Sequence, residues 1–257
     1  MPRHAIIKVK GAIVVSSNLL EIDKMHYLEL KSSSSDEKIN ELKQSFIARY
    51  TYESVTIDGK NTMTYEDVKH LLDKKIITSL YSEREQKEVL NHAKAYEFVE
   101  RLVYQRKKLD EEILKDIHEI LVDGIFTGGR YRQVNVQIIG SMHQPPDYVK
   151  VYDRMNKYFF DLTIYKGSLV QKSALAHAGL FKIYPFLEGN GRLARLVMNY
   201  ILMDAGFVAI SIPLAEKTQY LDHINSFKVE KILAPFSDYI EKLLLAEYER
   251  QIEALET

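Results

Sequence analysis

The sequence predicts an all-α, mainly helical protein with one short β-hairpin, and two patterns carry that prediction. Beyond the first thirty residues, apolar side chains recur at helical spacing along most of the chain. Between Gly128-Gly129 and Pro145-Pro146 the period changes. Val134, Val136 and Ile138 alternate with polar residues there, so 129–144 reads as a short hairpin. No segment repeats at the period of roughly 20–50 residues that marks a solenoid.

Ile6 to Val15 is β-branched and is expected as a short strand or an irregular arm. Ser32 to Ser35 reads as a linker. Ser34 with Glu37 makes a capping box for a helix carrying Ile39, Leu42, Phe46 and Tyr50. Thr64 with Asp67 is an acidic capping box ahead of Val68, Leu71 and Leu72. Residues 83–107 make a long amphipathic helix with Val89, Ala93, Tyr96, Val99 and Val103 on one face. Another is expected over 110–126, with Ile113, Ile117, Ile120 and Leu121 inward. Helical spacing returns at 147–165 and at 168–183. A further helix starts at Arg192 and ends at Gly206, a C′ glycine. From Pro235, the residues Phe236, Tyr239, Ile240, Leu243, Leu244 and Ile252 mark a last amphipathic helix.

The chain has 257 residues, 46% hydrophobic and 28% charged, the balance of a globular protein. A net charge of −1 supplies no global drive toward nucleic acid or anionic membrane. No apolar run approaches the ~18 residues of a membrane span. Lys8 and Lys10 interrupt the apolar N-terminal stretch, which argues against a signal peptide and for a cytoplasmic protein. With no cysteine, disulfides and thiolate metal sites are excluded.

The most informative run is YPFLEGNGRLAR, residues 184–195. A turn, Gly189-Asn190-Gly191, stands where a helix begins, and consecutive N–H groups in such a turn form a concave anion site. Arg192 and Arg195 follow on one face. Arginine in a first helical turn opposes the macrodipole, at a cost of roughly 0.3–1 kcal/mol. A bound polyphosphate would outweigh that cost.

These residues resemble the Fic family, most of whose members move AMP from ATP onto a hydroxyl of a target protein. The family pattern is His-Pro-Phe-x-(Asp/Glu)-Gly-Asn-Gly-Arg-x-x-Arg. Pro185, Phe186, Glu188, Gly189, Asn190, Gly191, Arg192 and Arg195 match, but Tyr184 stands where the family has its catalytic histidine. Ala174 to His177 with Ile183 resembles the approach helix, and Arg195 to Asn199 the exit helix. Gly129-x-Tyr131-Arg132 with Val134, Val136, Ile138, Gly140 and His143 resembles the hairpin flap. The resemblance implies a Fic core over 109–246. Before it come an arm and linker at 1–35 and a helical region with an inhibitory-like motif at 36–108. A helix end at 247–257 closes the chain.

It further implies ATP and Mg²⁺ as ligands. Glu188 would hold the metal, and Gly189, Asn190, Gly191, Arg192 and Arg195 the phosphates. Arg132, Val134, Val136 and Ile138 would dock a target protein of unknown identity, and the sequence leaves a homodimer open. His177 is expected as a hydrogen-bonded core residue. Ser54-x-x-x-Asp58-Gly59 resembles the family's autoinhibitory segment, with Asp58 in place of the usual glutamate and opposite Arg195. A phenol of pKa ~10 is a poor base near neutrality. The expectation is therefore an AMP-transferase scaffold with activity lost or reduced through Tyr184. The alternatives are an active variant using another base, or a non-catalytic interaction module.

Overall fold

The computed structural model describes residues 12–74, 79–138 and 143–257. Among the described residues ten α-helices run in chain order: α1 (Ala12–Ser33), α2 (Asp36–Ile57), α3 (Tyr65–Lys74), α4 (Glu83–Tyr104) and α5 (Glu111–Val122). After these come α6 (Val151–Ile164), α7 (Leu169–Ile183), α8 (Asn190–Asp204), α9 (Lys217–Glu230) and α10 (Ala234–Glu256). The all-α class holds.

Helix α8 lies at the centre. Every residue from Asn190 to Leu202 is buried, so it has no solvent face. Such a helix is coated by its neighbours on all sides, with α7 packing most extensively against it and α4, α5 and α2 also touching it. Helix α1 lies against α10.

Caps set several boundaries. Ser82 and Glu85 form a reciprocal capping box at the start of α4, and Ser168 with Gln171 does the same for α7. Thr64 caps Asp67 as its spacing predicts. The cap of α2 falls one residue later than expected, because Ser35 accepts from Lys38 N while Ser34 Oγ donates back to Leu30 O. Gly206 takes φ +78° past the end of α8.

Two expectations are corrected. Residues 12–15 belong to α1, and the helix continues through Ser33, so the described end of the arm and half of the linker are helical. Residues 6–11 lie outside the described ones. The flap forms no strand among the described residues, 139–142 lying outside them. Side chains replace a backbone ladder there. Arg132 Nη1 donates to Val134 O at 2.9 Å and its Nη2 to Pro146 O at 2.5 Å. Asn135 Oδ1 accepts from Tyr148 N at 2.8 Å. These contacts tie the described part of the segment to its flank without strand pairing, as an isolated two-stranded hairpin is marginal.

Candidate functional site

The loop between α7 and α8 is held from four directions. Tyr184 ends α7 in the left-handed region, φ 51°, where its N–H still donates to Leu180 O at 2.7 Å. Its carbonyl accepts from Arg132 Nε at 2.9 Å, and Pro185 O accepts from Arg132 N at 2.9 Å. Asn190 closes the loop from inside. Its Oδ1 accepts from Phe186 N at 3.0 Å and its Nδ2 donates to Phe186 O at 2.8 Å. The Asn190 amide therefore faces the loop's own backbone and not the cleft where a phosphate was expected. From α5, His118 stacks on Phe186 with ring centroids 3.7 Å apart. His118 Nδ1 accepts from Gly129 N, so its Nε2 carries the proton and donates to Glu188 O at 2.9 Å. Burial pushes the His118 pKa down to about 4, which keeps the ring neutral.

Gly189 adopts φ +75° and opens α8. At Gly191 an added Cβ would lie 2.8 Å from Asp58 Oδ1, so the bare backbone is what lets that carboxylate approach the helix N-terminus. Asp58 is the C-cap of α2. Its Oδ1 accepts from Arg195 Nη2 at 2.9 Å, and its Oδ2 faces Arg192 Nε at 3.4 Å. Ser54, one helical turn earlier, accepts from Arg195 Nε at 2.8 Å through Oγ and from Nη2 at 2.6 Å through its carbonyl. Arg195 is 1% exposed, and its charge is tolerated because these partners satisfy it. Tyr220 adds a longer contact to Arg195 Nη1 at 3.4 Å and donates to His177 Nε2 at 2.9 Å. His177 is thus a fully buried, hydrogen-bonded core residue.

Arg192 is different. It is buried, yet its Nε and Nη1 lack a hydrogen-bond acceptor, and Glu88 lies 3.5 Å from its Nη2. Buried guanidinium donors are costly to leave without acceptors, and here only the more distant carboxylates of Asp58 and Glu88 offset that cost.

Glu188 has each carboxylate oxygen on a cation. Oε1 accepts from Lys60 Nζ at 2.6 Å and Oε2 from Arg84 Nη2. Burial acts upward on its pKa, but Lys60 and then Arg84 prevail and hold it below the usual value. Asp58, Lys60, Tyr184, Glu188, Arg192 and Lys217 face one another across a cleft of about 280 Å³. The Tyr184 pKa is raised, first by burial and then by Asp58 and Glu188.

Tyr184, Glu188, Gly189, Gly191 and Arg192 thus share one cleft with Asp58, against which Arg195 and Ser54 close from below. Val134, half exposed, lies with Val136 and Ile138 on the segment outside it. Lys60, Arg84, Glu88, His118 and Tyr220 carry no motif signal, and only the packing of the α2 end, α4, α5 and α9 brings them in. Of these, His118 was the most legible, a polar residue on the inward stripe of α5 beside Leu114, Ile117 and Leu121.

Residues 108–202 match the Fic/DOC family. Over that stretch the chain is similar to the Fic/DOC family. It is 28% identical over 211 residues to a protein adenylyltransferase Fic of Drosophila erecta, covering 80% of this chain and 42% of the relative. Against the one of Drosophila willistoni it is 30% identical over 199 residues, 75% and 39% of the two chains. It therefore spans about two fifths of the length of these fly relatives. A Fic domain containing signaling protein from Bacteroides thetaiotaomicron superposes with a TM-score of 0.81 at 22% identity, covering 93% of this chain and 98% of the other. Fic-1 of C. elegans also superposes with a TM-score of 0.81 at 22% identity, covering 95% and 73%. Both share the fold, with helices before and after the matched stretch.

Proposed function

We propose that this chain binds ATP at the N-terminus of α8 and is an AMP-transferase scaffold whose activity is lost or strongly reduced by Tyr184. The observation that carries the reading is the carboxylate of Asp58 seated against Gly191, Arg195 and Arg192. A protein anion occupies the place suited to a phosphate, and Arg192 still has two donors without acceptors. Being named protein adenylyltransferase Fic, the fly relatives favour AMP transfer over other phosphate chemistry.

AMP transfer is attack of a hydroxyl on the α-phosphorus with pyrophosphate leaving, so positioning and charge stabilisation do most of the work. Arg195 and Arg192 would hold phosphate oxygens, and the Gly189–Gly191 N–H groups would add donors at the helix dipole. The hydroxyl, on a protein as yet unidentified, would approach beside 132–138. What is missing is a proton acceptor. Burial and two carboxylates raise the phenol's pKa from an already high value, and loss of a general base typically costs ~10²–10⁴ in rate. Ser54 and Asp58 act as an inhibitory clamp on Arg195, the shorter aspartate still reaching the guanidinium at 2.9 Å.

The residues as placed do not fit a divalent cation at Glu188, since both oxygens are engaged by Lys60 and Arg84. No group of three or more His, Cys, Asp or Glu among the described residues could hold one either. No step is assigned to a metal. No described helix is long and apolar enough to cross a membrane.

The test is incubation with α-labelled ATP and a cell lysate, beside a Tyr184→His variant. Labelling by the variant alone is the expected outcome. Equal labelling by both would overturn the loss of activity, and no thermal shift with ATP in any variant would overturn nucleotide binding.

A further inference from the structure

The pair of cations on Glu188 comes from two separate elements. Lys60 lies in the turn after α2, two residues beyond Asp58, and Arg84 lies in the first turn of α4. Arg84 is itself anchored, because its Nε donates to Glu88 Oε1 at 3.3 Å. Glu88 is 3% exposed and also accepts from Asn61 Nδ2 at 3.3 Å. The contact on Glu188 therefore ends a network that begins at Arg192. A divalent cation approaching Glu188 meets two positive groups already at hydrogen-bond distance. Together those groups carry the same two unit charges as one such ion.

We propose that Lys60 and Arg84 take the place of a divalent cation at Glu188, so that this site accepts a polyphosphate nucleotide free of metal. The inference rests on the nucleotide reading above. Ammonium and guanidinium both donate charge-assisted hydrogen bonds to phosphate oxygens, so they supply charge and direction together. Lys60 lines the cleft, and an ammonium has three protons, of which Glu188 takes one. Its side chain is 61% exposed, which leaves it accessible to an incoming phosphate.

Calorimetric titration of ATP into the full chain, once in EDTA and once in excess Mg²⁺, tests this. The wild type and Asp58→Gly are each compared with and without Lys60→Met and Arg84→Met, singly and together. The expected wild-type Kd values in the two buffers agree within about threefold. The double Met variant is expected to lose about tenfold or more in EDTA and to recover with Mg²⁺, because Glu188 is then open to the ion. Wild type binding more than about tenfold tighter with Mg²⁺ would overturn the inference. So would Met variants that bind unchanged in EDTA. ATP bound only with Mg²⁺ leaves the nucleotide reading standing and sinks this one. No binding in the Asp58→Gly background in either buffer sinks both.

Discussion

The side chain at position 184 bears on the chemistry of the cleft more than on its frame. Backbone contacts hold the loop there: the Tyr184 carbonyl on Arg132 and the Asn190 side chain on Phe186. The identity of the side chain is thereby separated from the shape of the turn, and Tyr184→His is expected to fold. Asp58 is the other decisive residue. Asp58→Gly leaves Arg195 with Ser54 and Tyr220 but without its carboxylate. The chain without nucleotide should lose about 2 kcal/mol, less than for a fully buried pair because Asp58 is 24% exposed. ATP should then raise Tm more than in wild type. Differential scanning calorimetry with and without ATP checks both halves, and an unchanged ATP shift would argue against the clamp.

The α7–α8 turn is built from contacts that no single helix contains. Asn190 supplies two hydrogen bonds to Phe186 inside the turn, both buried. Asn190→Ala would leave Phe186 N and O unsatisfied, and each orphan costs about 1–3 kcal/mol. A loss of about 2–4 kcal/mol in urea unfolding is expected, with m unchanged. At the start of α4 the Ser82–Glu85 box orders the helix that presents Arg84 and Glu88 to the site. Ser82→Ala should cost about 1 kcal/mol by the same measurement.

Across the fold, three histidines are buried with lowered pKa values. Desolvation is the first cause for His92, His118 and His177, and Arg195 or Arg192 adds to it in each case. The folded state binds their protons only well below the pH at which the unfolded chain does, near 6.5. Between those limits the unfolded state holds more protons, so stability falls as pH drops. His118 alone, with a folded pKa of about 4, should remove about 3 kcal/mol between pH 7 and pH 4. Urea unfolding at a series of pH values reads the slope. In His118→Asn the slope should be shallower, and an identical slope would mean that this ring is not held neutral.

Much of the scaffold was legible, because helical periodicity reports burial on one face and burial is local to each helix. Boundaries slipped where a competing serine or a continuing helix was available, as at Ser34 and in α1. The hairpin expected at the flap is not confirmed among the described residues, for a related reason. Alternation of Val134, Val136 and Ile138 specifies an extended chain but not a partner, and Arg132 and Asn135 make side-chain hydrogen bonds to the backbone there.

What the sequence alone determined is the helical class, the Gly-Asn-Gly corner with its two arginines, and a phenol at position 184. All are written in residues adjacent along the chain. Beyond the pairing of Asp58 with Arg195 that the resemblance implied, only the tertiary structure decided what Arg192 and Glu188 actually touch. Asp58 and Lys60 arrive from the end of α2, and Arg84 and Glu88 from α4, across sequence separations that no local pattern reports. A buried charge is defined by its partners, and packing chooses them.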